Sequence, residues 1–294
     1  MIPMVKYAML TFWPYFLSAF LILAMPLLLA WVIHRQRGAG WGLFFIGAAT
    51  FVGSQILHIP FNWLVLNKLQ LIPTDTSVML NLVVMSLFLG LSAGVFEEGA
   101  RYLTYRFWTK DARSWGAGLM LGVGHGGIEA ILVGVTVGLN ALILGAISLG
   151  FWQEMIPPAQ TDLVQTQIAA MQAAPWYLVQ LGAAERAFAI SVHLALSLLV
   201  MQVFVRGRIR WLLAAIGWHA LFNAAAVFTQ ITWENPYLTE GVLAVMALIS
   251  LGIVFALKAP EPVEPEPEPL TAVGPAAPQE IPATDEALER SKYS

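Results

Sequence analysis

The sequence lacks cysteine and carries very little charge. Its 294 residues are 58% hydrophobic and only 11% charged, and the mean hydropathy is +0.71. Without cysteine the chain can form neither disulfide bonds nor thiolate ligands, so any metal must be held by His, Asp, Glu or Asn. The net charge of -3 leaves no basic excess for binding nucleic acid. This composition lies outside the range of soluble globular domains and predicts a polytopic membrane protein.

Seven apolar runs are long enough to cross a hydrocarbon core about 30 Å thick, which takes about 20 helical residues. We therefore predict an all-α membrane bundle of about seven transmembrane helices within residues 1–258. The predicted spans are 8–32, 41–66, 77–96, 115–152, 176–204, 211–229 and 238–257. The first is too long for a signal-peptide core and has no small-residue cleavage site, so we expect it to be retained. The fourth is longer than a span needs, and one long helix or two pieces broken near Asn140 would both explain it.

Lysine and arginine predict the orientation of these spans. They follow the first, third, fifth and seventh spans, whereas the alternate connections carry only Lys68 or none. By the positive-inside rule, the N-terminus lies outside and the C-terminus in the cytoplasm. Residues 153–175 then form an external loop with room for a short interfacial helix. Residues 259–294 begin with a Pro/Glu-rich run that cannot bury a core, and we predict a disordered cytoplasmic tail.

Ionisable side chains accompany four of the apolar runs, although charges in hydrocarbon are expensive and seldom lack a use. They are Glu97, Glu98 and Arg101 at the third run, His125 and Glu129 in the fourth, Glu185, Arg186 and His193 in the fifth, and His219, with Asn223, in the sixth. Counted from the cytoplasmic flanks at about 1.5 Å per residue, one glutamate and three histidines lie in a layer roughly 12–20 Å deep. This common depth predicts a shared interior site.

Spacing along each helix indicates which side chains share a face. Arg101 lies one turn from Glu97 and Glu98 and can neutralise one of them. Adjacent residues lie about 100° apart around a helix, so we expect only one of the two glutamates to point straight into the site.

Two further pairs share a face because their members are one turn apart. Glu129 is expected to orient His125, and Asn223 accompanies His219. The fourth run also has two series of glycines spaced four residues apart, which predict a smooth ridge for close helix contact beside His125. The ridge residues are Gly118, Gly122, Gly126, Gly134 and Gly138.

This set of side chains suits amide hydrolysis. That reaction needs an activated water, a stabiliser for the oxyanion and a proton donor for the leaving nitrogen. A buried glutamate can be the base, and imidazoles can bind a metal or move protons. Three histidines with a carboxylate can also form a zinc site with an open position. The residues therefore predict hydrolysis with or without a metal.

Two other classes of function remain open. A proton-coupled transporter or channel could use the same buried Glu, His and Arg side chains, although the sequence has no internal repeat. A membrane scaffold would tolerate loss of the whole polar layer. Outside the layer, His58 and the neighbouring pair Glu185 and Arg186 lie nearer to the outer face, and we expect structural roles for them.

Three stretches carry a resemblance to a known superfamily. They are Glu97-Glu98-Gly99-Ala100-Arg101, Leu121-Gly122-Val123-Gly124-His125 and His219-Ala220-Leu221-Phe222-Asn223. Their order resembles the motifs of the CAAX prenyl-endopeptidase and bacteriocin-processing superfamily. With the stretch from His125 to Glu129, the chain is most similar to the YhfC branch of intramembrane metalloproteases, related to PrsW. The resemblance spans residues 96–223.

The resemblance implies roles for individual residues. A carboxylate of Glu97 or Glu98 would activate water together with His125, while His219 and Asn223 would stabilise the oxyanion. Two residues separate the glutamate pair from the arginine, and Leu121 stands where the prenyl-endopeptidase motif has Phe. These departures leave the substrate class open.

We also predict a ligand set, supporting residues and a location. His125, His193 and His219 are the candidate ligands of a divalent metal such as zinc, and Arg101 and Glu129 support the site. A metal-free mechanism remains the alternative. The expected partner is a membrane-embedded or membrane-anchored protein or peptide, and no nucleic acid. The expected location is the cell membrane, as a multi-pass protein of the bacterial plasma membrane.

Overall fold

The structure is a computed structural model that describes residues 2–258, with side chains from residue 11 onward. Every regular element in that range is helical. Seven helices are long and apolar enough to cross a membrane, which confirms the predicted all-α polytopic bundle. The predicted tail, residues 259–294, lies outside the described residues.

The helices follow the apolar runs because a chain in hydrocarbon must satisfy its backbone hydrogen bonds within itself. They are α1 (Ile2–Arg37), α2 (Trp41–Trp63), α3 (Met79–Leu103), α4 (Trp115–Ser148), α5 (Thr161–Ala173), α6 (Trp176–Val179), α7 (Leu181–Arg206), α8 (Arg210–Trp233) and α9 (Pro236–Ala256). The π-helical turns Leu64–Lys68 and Thr104–Trp108 extend α2 and α3. The short helix expected in residues 153–175 is α5.

The third span is longer than predicted, and the structure settles which of the two forms predicted for the fourth span is adopted. The third does not end at residue 96, because α3 and its π-helical turn continue to Trp108. Glu97, Glu98 and Arg101 are buried and paired inside the protein, so they do not force the helix to stop. The fourth span is one continuous helix, Trp115–Ser148, with no break at Asn140.

Helix α7 occupies the centre of the bundle. It packs against α4, α8 and α9. In the span Trp176–Arg206, 78% of the most apolar 18-residue stretch is buried inside the protein, against 22% to 33% for the corresponding stretches of the other spans. The surrounding helices present large apolar side chains outward, such as Phe20 (64% exposed) and Leu80 (69%). That surface suits lipid, and it leaves the buried positions of α7, including His193, for the interior site.

Small residues allow the helices that carry the site to approach one another closely. A Cβ added at Gly90 of α3 would lie 2.2 Å from the carbonyl oxygen of Ala220 on α8. A Cβ added at Gly124 of α4 would lie 2.1 Å from the carbonyl oxygen of Phe44 on α2. Glycine at such positions lets backbones touch, as is typical of helix contacts in membranes. The glutamates of α3 are thereby held against α8.

Basic residues gather around Trp115 at one end of the bundle. The Arg37 guanidinium lies 4.9 Å from the Trp115 ring centroid, and the Lys258 ammonium lies 5.7 Å from it. These contacts bring the end of α1, the start of α4 and the end of α9 together. Grouping of basic residues at one end is what the positive-inside rule requires. The direction of that end across the membrane stays a prediction.

Candidate active site

Two buried glutamates and three buried histidines from four helices meet in the interior. They are Glu97 and Glu98 of α3, His125 of α4, His193 of α7 and His219 of α8, with exposed fractions of 6, 0, 0, 4 and 3%. The structure brings together the residues that the sequence places in one layer. Their burial shows that neither glutamate reaches water from a helix end.

Glu98 is neutralised on its own helix and bonded to the next. Arg101, one turn further on, pairs with Glu98 Oε2, as the spacing predicts, and both side chains are fully buried. Glu98 Oε1 lies 2.8 Å from His219 Nδ1. Arg101 Nη2 also lies 3.2 Å from His193 Nδ1. An unpaired charge at a bilayer centre costs about 2.5–3.5 kcal/mol on the insertion scale, so this pairing is what permits the burial.

Glu97 also reaches the site, and the expectation that only one of the two glutamates could do so is wrong. Its Oε2 lies 3.1 Å from His125 Nε2 and 3.9 Å from His219 Nε2. Its Oε1 accepts a hydrogen bond from Gln55 Nε2 of α2 at 3.1 Å. The side chains of Glu97 and Glu98 point in different directions from α3. Glu97 contacts His125 of α4, and both glutamates contact His219 of α8, so both belong to the site.

The glycine ridge of α4 brings α7 against the site, as predicted. A Cβ added at Gly126 would lie 2.8 Å from the Cβ of His193, and one at Gly122 would lie 3.0 Å from the His193 carbonyl oxygen. Glycine at these positions therefore makes room for His193 itself. The rings of His125 and His193 lie 5.1 Å apart as a result.

Glu129 orients His193, not His125 as the spacing on α4 suggested. Its Oε2 lies 2.8 Å from His193 Nε2, and its Oε1 accepts a 2.9 Å hydrogen bond from Arg186 Nη1. Arg186 also pairs with Glu185. The contact arises across helices, because the ridge lets α7 approach so closely. Arg186, expected to be structural, is thus two hydrogen bonds from the cluster through Glu129.

Three of these side chains form a compact set of possible metal ligands. Glu97, His193 and His219 each offer a ligand atom, and the three atoms lie within 4.8 Å of one another. His193 and His219 were predicted as ligands together with His125. In this geometry the third member of the set is the Glu97 carboxylate, and His125 lies beside it.

The chemistry of this donor set fits a divalent metal such as zinc. Metal-ligating histidines commonly hold a carboxylate on the ring nitrogen that faces away from the metal. His219 Nδ1 has Glu98 and His193 Nε2 has Glu129 as such a partner, while His193 Nδ1, the nitrogen left for a metal, lies 3.2 Å from Arg101 Nη2. Two histidines and one carboxylate leave a position open for water in catalytic zinc sites.

His125 differs from the other two histidines. Its Nε2 faces Glu97, whereas its buried Nδ1 makes no hydrogen bond with any residue in the described range. The edge of the ring packs against Phe51, with 5.2 Å between centroids. Because the Glu97 carboxylate accepts, a neutral His125 ring carries its hydrogen at Nε2 and leaves Nδ1 as an acceptor without a partner among the described residues.

Comparison with known proteins decides the family. The sequence model of the family described as "YhfC intramembrane metalloprotease" matches residues 21–243, which include the whole buried cluster. The chain belongs to the YhfC family. It is 34% identical over 248 residues to the "Uncharacterized membrane protein YhfC" of Bacillus subtilis (strain 168), covering 80% of this chain and 92% of that protein. No solved structure matches the chain.

Membership confirms the resemblance seen in the sequence. It also places this YhfC protein in the cell membrane as a multi-pass protein, in agreement with its seven apolar helices. The family description names a metal, and the Glu97, His193 and His219 set provides a possible site for one.

The last motif residue of this YhfC chain has no partner in the cluster. Asn223 is half-buried on α8, one turn after His219, and it makes no hydrogen bond with the described residues. Its predicted part in oxyanion stabilisation stays a prediction.

The sequence analysis missed Gln55. This residue reaches Glu97 from α2, which carries none of the motifs. A signal was available, because Gln55, His58 and Asn62 repeat at the spacing of one helical face within an apolar run.

Proposed function

We propose that this YhfC-family protein is an intramembrane metalloprotease. The observation that carries the proposal is the buried donor set of Glu97, His193 and His219, with ligand atoms within 4.8 Å of one another. A carboxylate stands behind each of the two histidines. Structural polar pairs need not converge in this way, whereas metal centres use such an arrangement routinely.

The residues of the set would hold the metal and leave one position open. Glu98 keeps the proton of His219 at Nδ1, so that Nε2 is available as a ligand atom. Glu129 does the same for His193 at Nε2, and Nδ1 would become the ligand atom in exchange for its hydrogen bond from Arg101 Nη2. A bound zinc ion would supply Lewis-acid chemistry and generate a nucleophilic water near neutral pH.

His125 is the group we assign to proton movement. Its Nε2–H donates to the Glu97 carboxylate at 3.1 Å, and its Nδ1 has no partner among the described residues. The unpartnered Nδ1 can accept the proton of the attacking water, and the imidazolium, held by Glu97, can return it to the leaving amide nitrogen. Glu97 is the base if the site works without a metal, which was the other possibility raised by the sequence.

The substrate we propose is a membrane-embedded or membrane-anchored protein. A peptide bond can reach a buried site between helices only within the bilayer or at its edge. The substrate segment must unwind there, because a helix with its amides paired is a poor target. Asn223 would then donate its amide hydrogen to the oxyanion of the opened peptide bond.

Metal binding tests the proposal without knowledge of the substrate. We expect the detergent-purified wild-type chain to hold about one zinc ion, and His193→Ala and His219→Ala to lose it. His125→Ala is expected to retain it. Elemental analysis of protein purified without chelators makes the measurement. A wild-type chain that binds no zinc supplied under these conditions would refute the metal centre.

Cleavage tests the reaction itself. Proteoliposomes that contain the chain and a panel of single-span membrane proteins are analysed for new peptide termini by mass spectrometry. We expect products with the wild type and none with Glu97→Gln or His125→Ala. Full activity in both variants would contradict the proposal. Uptake that depends on pH, without any peptide product, would favour the transporter alternative.

A further inference from the structure

A row of polar side chains on α2 leads directly to Glu97. Gln55, His58 and Asn62 are three and four residues apart and so lie on one face of the helix. Each is half-buried in an otherwise apolar segment. The contacts run from Asn62 to His58 (3.0 Å), from His58 to Gln55 (3.2 Å) and from Gln55 to Glu97 (3.1 Å).

The direction of every hydrogen bond in this row follows from the carboxylate at its end. Glu97 Oε1 can only accept, so Gln55 must present its amide N–H to it. The Gln55 carbonyl oxygen then faces His58 Nδ1, which must carry the hydrogen. His58 Nε2 is therefore an acceptor, to which Asn62 Nδ2 donates at 3.0 Å. The Ser92 hydroxyl, 3.2 Å from the same nitrogen, can donate to it only in place of its hydrogen bond to the Leu89 carbonyl oxygen.

The Gln55 and His58 side chains are held from the side as well. The second N–H of the Gln55 amide points to Ser54 Oγ at 3.2 Å. The His58 ring stacks on Phe96, with centroids 5.5 Å apart and an angle of 24° between the planes. Phe96 is the residue before Glu97, so the stack joins this row to α3 next to the carboxylate.

We propose that Gln55, oriented by His58, is the positioning residue of Glu97. The row holds Oε1 on the α2 side of the carboxylate. It thereby presents Oε2 to the ring nitrogens of His125 and His219, at 3.1 and 3.9 Å. The proposal rests on the proposed function, in which Glu97 is a ligand of the metal.

Zinc affinity of the full chain tests the positioning role. Removal of a partner behind a metal ligand typically costs about 10–100-fold in metal affinity. We expect Gln55→Leu to weaken zinc binding by about that factor, as measured by competition with a chelator. His58→Phe should weaken it less, and His58→Gln, which restores an N–H donor toward Gln55, should recover part of the loss.

A double variant shows whether Gln55 and His58 act on zinc affinity through one another or independently. If His58 acts through Gln55, the Gln55→Leu, His58→Phe protein should bind zinc no more weakly than Gln55→Leu alone. Gln202→Leu is the matched control, because Gln202 is a buried glutamine on α7 without a hydrogen bond to the cluster. Unchanged zinc affinity in folded Gln55→Leu, with an unfolding temperature equal to that of the control, would overturn the positioning role.

The histidine tautomers provide a measurement that needs no metal. The chain has 5 histidines, so ¹⁵N spectra of the metal-free protein are simple, and His58→Gln assigns the His58 signals. We expect a neutral His58 ring protonated at Nδ1, with signals that shift in Gln55→Leu. Protonation at Nε2 instead would overturn the proposal. If the tautomer is as expected but the wild type binds no zinc, the row of hydrogen bonds stands and the metal centre fails.

Discussion

At the residue scale, Glu129 is the carboxylate of the site that is most open to its surroundings. Its side chain is 28% exposed, whereas that of Glu97 is 7% exposed and that of Glu98 is fully buried. Arg186, which bonds to Glu129, lines a cavity of about 270 Å³ between α1, α4 and α7. Glu129 thus links the buried histidine His193 to Arg186 at the wall of this cavity.

Glu129→Gln tests whether this carboxylate orients His193. A glutamine at this position has a neutral amide, so it can offer only a neutral oxygen or an N–H to His193 and Arg186, which bond to a carboxylate in the wild type. We predict a zinc affinity about 10–100-fold weaker than that of the wild type, measured by chelator competition. Glu185→Gln is the matched control, since Glu185 pairs with Arg186 and does not contact His193. Equal zinc affinities for the two variants would show that Glu129 has no such role.

At the scale of elements, the contact between α4 and α7 decides which side chains meet. Spacing on α4 placed Glu129 on the face of His125, but the approach of α7 at Gly126 places His193 within 2.8 Å of Glu129. Rotation and separation of two helices set such pairs, and the spacing within one helix does not determine them. The ridge is therefore part of the site, although it carries no functional group.

Gly126→Ala tests the ridge. The new methyl group would lie 2.8 Å from the Cβ of His193, which cannot move without its helix. Overpacking of this kind typically costs about 1–3 kcal/mol of stability. We predict a lower unfolding temperature in detergent together with weaker zinc binding.

Gly138→Ala on the same helix is the control for this substitution. A Cβ there would make an ordinary 3.5 Å contact with Ala19, so we expect both measurements to match the wild type. If Gly126→Ala also matched the wild type in both, close approach of α7 would not be what positions His193.

At the scale of the whole molecule, the orientation of the bundle decides from which side the site is reached. The basic ends of α1 and α9 meet at Trp115, and the positive-inside rule assigns that end to the cytoplasm. The connection that contains α5 then lies outside. This assignment is a prediction of the sequence that the fold by itself does not address.

Cysteine labelling tests the orientation directly, because the chain has no cysteine of its own. Gln160→Cys, in the exposed connection before α5, should react with a membrane-impermeant maleimide on intact cells. Lys110→Cys, exposed between α3 and α4, should react only after the membrane is opened. The reverse pattern would place the N-terminus in the cytoplasm. Equal labelling of both in opened membranes controls for reactivity.

The sequence by itself determined the number and approximate extent of the membrane-spanning helices and indicated most of the residues that meet in the buried cluster. Both follow from local physics: about 20 apolar residues are needed to cross a bilayer, and charges are too costly there to be common. The Glu98–Arg101 pair was also predictable, because its members are one turn apart on one helix. The end of α3 could not be predicted, because the burial of its charged residues depends on partners from other helices.

Only the tertiary structure decided how the polar side chains pair across helices. It joined Glu129 to His193, brought Glu97 into the donor set in place of His125, and placed Gln55 against Glu97. Each of these contacts depends on the rotation of two helices and on how closely glycine lets them pack. Spacing along one helix contains neither quantity, so the layer of functional residues was visible in the sequence while its hydrogen bonds were not.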